Sequence, residues 1–205
     1  MVDCRFVQKH RRQRPAALLI LAAAAALALQ AANIPRKAPD FAIALTNGKQ
    51  AALSQYRGKV VALVFILTTC PHCQGAVRCL AEDQNEFGPR GFQALGSAIE
   101  ETARTALPGF LRQFNPPFPV GYNRLGAALD FMQHPPMVGP HMPLIAFMDR
   151  QGILRAQYEG QEPFLAQDQM AKNIRAKIVE LLDEGAPGAK KKATGKVSGS
   201  KKKPG

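Results

Sequence analysis

The chain of 205 residues has no tryptophan, three tyrosines and four cysteines, and what it lacks narrows the reading more than what it holds. Only one Cys-x-x-Cys pair exists, Cys70 with Cys73; Cys4 and Cys79 stand alone. A closed structural zinc site draws four ligands, usually from two such pairs, so a missing second pair argues against one. No internal repeat is present, which excludes a solenoid or propeller. The longest apolar run, Ala16 to Leu29, is 14 residues. That is short of the roughly 20 residues that span a bilayer core.

Acidic residues are scarce at both ends. Residues 1–36 carry six Lys or Arg against Asp3, and residues 185–205 carry seven Lys and no acid. Residues 37–184 hold 14 basic and 14 acidic residues, so the formal charge of +12 lies wholly in the ends. A neutral body argues against a nucleic-acid enzyme. At the start, Arg5, Lys9, Arg11, Arg12 and Arg14 precede the apolar run, and small-x-small sites follow at Ala26-Leu27-Ala28 and Leu29-Gln30-Ala31. Residues 1–32 therefore read as a signal peptide or an N-terminal membrane anchor. Basic residues ahead of the run put the domain outside the cytoplasm on either reading, periplasmic or anchored to the outer side of the inner membrane. Residues 185–205 have too little apolar surface to fold, and read as a disordered Lys-rich tail. It is either merely solvated or held against anionic lipid.

Between these ends, residues 33–40 read as a linker and residues 41–184 as one domain. Phe41 to Leu45 with the Asn47-Gly48 dipeptide predicts an N-terminal hairpin. Val60 to Leu67 is a continuous apolar run of strand length, as a strand buried on both faces requires. A helical pattern follows from Pro71 to Phe87, with Cys73, Val77, Leu80 and Phe87 on one stripe, stopped by Gly88-Pro89. Strands are predicted at Phe92–Ile99, Phe118–Tyr122, Leu144–Met148 and Ile153–Tyr158, and helices at Thr102–Phe114, Arg124–Met132 and Phe164–Leu182. The last presents Met170, Ile174, Ile178 and Leu181 on one face. Such alternation predicts an α/β domain: a central mixed β-sheet flanked by helices, with an N-terminal β-hairpin extension.

The cysteine pair takes its meaning from this setting. Cys70 follows a buried strand, and Pro71 opens a helix where its missing N–H had no partner in any case. Free backbone N–H groups and the positive end of the helix dipole then stabilise a thiolate at Cys70. Cys73, one turn in, is better shielded. The positions suit a nucleophile and a resolving thiol that cycle between dithiol and disulfide against protein thiols and disulfides, with no cofactor and no metal. Cys79 cannot bridge Cys73 across a regular helix.

Gly58-Lys59-Val60 to Cys73, Gly91 to Ile99, Phe118-Pro119-Val120-Gly121-Tyr122, and His141-Met142-Pro143-Leu144 to Asp149-Arg150-Gln151-Gly152 together resemble the TlpA-like thioredoxins. These sit within the superfamily of alkyl hydroperoxide reductases and thiol-specific antioxidants. The resemblance spans residues 37–183 and implies a thioredoxin fold and a membrane electron donor or acceptor. It also implies that Pro143 is a cis-proline, with Met142 and Pro143 forming a substrate-facing wall. Two features depart from the family: Thr68-Thr69 stand where a Trp commonly precedes the first cysteine, and the positions of its buried acid match Val64 or Ala76. No general base is assigned. Pro71 and His72 are expected to tune the couple; a cationic or hydrogen-bonding His72 would make it more oxidising, within known limits of about −270 to about −120 mV. Two other readings stay open. A thiol peroxidase of the same superfamily would want Thr or Ser where Leu67 stands and Pro where Leu63 stands. A copper chaperone could use Met132, His134, Met137, His141 and Met142 with the two cysteines.

Overall fold

Val60–Ile66 is buried at every position, and the rest of the domain is arranged around it. In the computed structural model, residues 34–135 and 137–184 are described; the expected leader and the Lys-rich tail lie outside them. Eight strands form one sheet among these residues: β1 (Arg36–Lys37), β2 (Ala42–Ala44), β3 (Gln50–Ala52), β4 (Val60–Ile66), β5 (Phe92–Ala98), β6 (Val120–Tyr122), β7 (Leu144–Met148) and β8 (Ile153–Glu159), in the order β1-β8-β7-β4-β5-β6-β2-β3. β4, β5 and β6 run parallel to one another, whereas β7, β8 and the N-terminal strands pair antiparallel. The mixed sheet is the one expected. Its helices are α1 (Pro71–Phe87), α2 (Ala103–Phe114), α3 (Leu125–Met132) and α4 (Met170–Glu184).

Because side chains alternate along a strand, β4 feeds two cores. Val60, Ala62, Val64 and Ile66 join residues of α1, α2 and α4. Val61, Leu63 and Phe65 join Phe41, Leu53 and the Ala128, Phe131 and Met132 face of α3. In the second core the rings of Phe41, Phe65 and Phe131 meet edge-on, with centroids 5.3–5.9 Å apart. Burying each such side chain contributes about 1.5–3 kcal/mol.

Two boundaries differ from the sequence reading by more than two residues. Part of the expected linker is structured: Arg36 and Lys37 pair with Leu154 and Ile153, and the Ala38 N–H donates to the Gly152 carbonyl at 3.0 Å. The outer edge of β8 would otherwise leave backbone groups unpaired. The last helix begins at Met170, not Phe164. Pro163–Leu165 forms a separate 3-10 turn in which Phe164 stacks on Tyr158, their rings 3.6 Å apart and 3° from parallel. The expected apolar face of α4 is buried as read, from Met170 to Leu181. The hairpin forms from β2 and β3 and joins the sheet through β6, where Ala44 pairs with Tyr122. No described helix is long and apolar enough to cross a membrane.

Candidate active site

The register of the central strands brings three chain segments to one end of the sheet. Phe65 pairs with Leu144, and Ile66 pairs with Ala98. The exit of β4 toward Cys70, the entry of β7 after Pro143 and the exit of β5 toward Glu100 therefore lie side by side. A cleft of about 920 Å³ opens there, lined by Leu67, Ile99, Glu100, Arg104, Arg124 and Met142 among others. Ends of parallel strands are where ligands bind in open α/β sheets.

Cys70 is the N-cap of α1 in extended conformation, and Pro71 is the first helical residue. Its sulfur accepts the backbone N–H of Cys73 at 3.4 Å, the distance expected for a sulfur acceptor at a helix start. Cys70 is half-buried and Cys73 is fully buried, and both are free thiols. Burial holds the Cys73 thiol well above its usual range, and the neighbouring Cys70 and the charge of Glu100 push the same way. A thiol so placed gives up its proton only when something takes it.

His72 is not a free surface side chain. Its Nε2 lies 2.7 Å from the Leu165 carbonyl, which can only accept, so this nitrogen carries the hydrogen. The ring thus ties the active-site turn to the Pro163–Leu165 turn. Pro143 is buried and its peptide bond with Met142 is cis. Met142 is partly buried and packs against both cores, in the first of them alongside Cys70. Gly160 lies tight beneath this loop: its N–H donates to the His141 carbonyl at 2.7 Å, and a Cβ there would come within 2.2 Å of the Met142 oxygen. Only glycine allows that approach.

Val64 and Ala76, the positions of the expected acid, are fully buried apolar residues of the first core. Sequence reasoning missed Glu100, whose Oε1 accepts from the Thr68 N–H at 2.9 Å and from the Thr68 hydroxyl. The available signal was its position just past a parallel strand. The residues considered for copper do not form one ligand set. Met132 is 2% exposed in the second core, Met137 is 94% exposed, and His141 faces solvent. His134 places Nε2 3.0 Å from Glu159 and Nδ1 3.0 Å from the Pro135 carbonyl. Cys79 is half-buried, and burial together with Glu82 and Asp83 raises its thiol above the usual range.

The family model described as AhpC/TSA matches residues 34–157. Over 94 residues the chain is 28% identical to the thiol-disulfide oxidoreductase ResA of Bacillus thuringiensis subsp. konkukian, covering 46% of this chain and 54% of that one. Over 70 residues it is 37% identical to a probable glutathione peroxidase 8-A of Xenopus laevis, covering 33% and 34%. The chain thus spans between about a third and about half of the curated relatives it matches. A crystal structure of a thiol:disulfide interchange protein, thioredoxin family protein, from Chlorobium tepidum aligns with a TM-score of 0.59 at 19% identity, over 74% of this chain and 99% of that one. The architecture is that of the thioredoxin fold.

Proposed function

The chain belongs to the AhpC/TSA family, and from that premise we propose that it is an extracytoplasmic thiol–disulfide oxidoreductase acting on protein thiols and disulfides through Cys70 and Cys73. One observation carries the reading: a half-exposed cysteine caps a helix, and the next cysteine, buried one turn on, directs its N–H at the first sulfur. In the reducing direction the Cys70 thiolate attacks a substrate disulfide; one substrate sulfur leaves with the electron pair, and a mixed disulfide forms. Cys73 then attacks the Cys70 sulfur, the second substrate sulfur leaves, and the protein disulfide closes. The substrate gains two electrons and two protons. In the oxidising direction the same steps run backward. Met142 and Pro143 supply the wall against which the substrate chain lies.

A membrane electron donor or acceptor would restore the starting state, consistent with the leader-like residues 1–32. Residues 41–184 carry the chemistry, and residues 185–205 add a basic tail for anionic lipid. The match to a glutathione peroxidase gives peroxide reduction as the competing reading.

Single cysteine variants test the proposal. Cys70→Ser should abolish reduction of insulin disulfides, and Cys73→Ser should accumulate a mixed disulfide visible by non-reducing electrophoresis. Full activity in both variants would refute the mechanism, and peroxide consumption in place of insulin reduction would favour the competitor. Equilibration with glutathione fixes the direction: a potential near about −120 mV marks an oxidant and one near about −270 mV a reductant.

A further inference from the structure

Glu100 stands at the end of β5 in an unusual state. The Ile99 N–H donates to the Ile66 carbonyl at 3.0 Å, which holds this turn of chain against the exit of β4. Oε1 of Glu100 is taken by the backbone N–H and the hydroxyl of Thr68, a residue only 7% exposed. The Thr68 carbonyl is taken in turn by Gln74 Nε2, at 2.9 Å, from the first turn of α1. Oε2 is buried and has no partner among the described residues. A buried acceptor without a partner bears the full desolvation cost of that group, more when charged, so its persistence calls for a reason.

Cys73 supplies that reason. It is fully buried on the first turn of α1, and to attack Cys70 it must lose a proton. The positions at which the resemblance would place an acid hold Val64 and Ala76, both apolar. The Glu100 charge acts on the Cys73 thiol and opposes a second negative charge there. Thr68 links the two sites, holding Glu100 through its N–H and hydroxyl and Gln74, the residue after Cys73, through its carbonyl; two mutually opposed anions there are disfavoured, whereas one proton moving between them is not.

We infer that Glu100 is the proton acceptor for Cys73 in the resolving step and that Thr68 positions it, an inference resting on the dithiol reading above. In that step the Cys73 sulfur bonds to the Cys70 sulfur, the bond from Cys70 to the substrate sulfur breaks, and that sulfur leaves with the electron pair. The Cys73 proton passes to Oε2 of Glu100, directly or through one water. The two electrons released on forming the protein disulfide reduce the substrate, so no further reductant enters. In the oxidising direction Glu100 returns the proton. One of the two threonines that precede the first cysteine thus acquires a task.

The test uses the full chain, reduced, with Cys4 and Cys79 replaced by alanine, mixed with dithiobis-nitrobenzoate in a stopped-flow instrument. A first release of thionitrobenzoate reports attack by Cys70 and a second reports attack by Cys73. Glu100→Gln keeps the shape and an acceptor for Thr68. It should slow the second phase by about 10- to 100-fold near neutral pH, leave the first within about twofold, and recover as pH rises and hydroxide replaces the carboxylate. An unchanged second phase, or equal slowing of both, overturns the inference. Absence of the first phase in the parent overturns the dithiol reading instead. Should Glu100→Gln fail to fold, Thr68→Val serves, with a smaller loss confined to the second phase; no loss overturns the inference.

Discussion

A methyl group at position 160 would press on the Met142 carbonyl oxygen, whose neighbour Pro143 immediately precedes β7. The obstruction is backbone rather than a flexible side chain, so relief requires the loop itself to move. Gly160→Ala should therefore lower insulin-reduction turnover about tenfold and destabilise the domain by about 1–3 kcal/mol, the usual penalty for overpacking. The rate of Cys70 alkylation by iodoacetamide should stay within about twofold, because α1 and its cap are untouched. Equal losses in both assays would show that the loop does not act on substrate separately from the thiol. At this scale the sequence was informative where chemistry is local, as in Cys70, Pro71 and Cys73. It was silent where a role depends on neighbours distant in the chain: Glu100 meets Thr68 across 32 residues, and no spacing rule links them.

Between elements, α1 and α4 are joined by a pair that also titrates. Asp83 is 3% exposed on α1 and lies 3.3 Å from Arg175 of α4, which also bonds Glu86 and lies over the Phe87 ring at 4.7 Å. Burial pushes the Asp83 carboxyl up from its usual 3.8 to about 6, and Arg175 offsets only part of that. Between these two values the folded state binds more protons than the unfolded state, so stability falls as pH rises. The contribution is fully present below about pH 4 and is lost through about pH 6; its size is on the order of 1–3 kcal/mol. Asp83→Asn should remove this slope and gain stability at pH 7, as urea denaturation at pH 4 and pH 7 would reveal. An unaltered slope would show that Asp83 titrates alike in both states. Asp83 escaped the sequence reading because an acid on an apolar stripe looks like a break in the pattern. Periodicity located β4, α1, α2 and β7 well, since each buries a regular face. It missed β1, whose two residues are too few to show a period, and it placed the start of α4 early because Phe164 fits the helical face while stacking on Tyr158.

For the whole molecule the decisive pattern is charge: basic ends around a body that is neutral from residue 37 to 184. If residues 1–32 direct export, a reporter that matures only outside the cytoplasm, fused after residue 184, should be active, and removing residues 1–32 should silence it. Activity without those residues would overturn the assignment. The tail's seven lysines predict salt-sensitive binding to anionic vesicles that is lost on truncation at residue 184.

The sheet order has a further consequence for assembly in time. The first strands of the domain close both of its edges, β1 against β8 on one side and the β2–β3 hairpin against β6 on the other. A chain emerging from its N-terminus must therefore carry β1 and the β2–β3 hairpin undocked until β8 and β6 have followed, with Arg36 waiting for Leu154. Closure over such long sequence separation is slow. If residues 1–32 direct export, that delay would keep the polypeptide threadable during transit and postpone burial of Cys73 until almost the entire sheet has arrived.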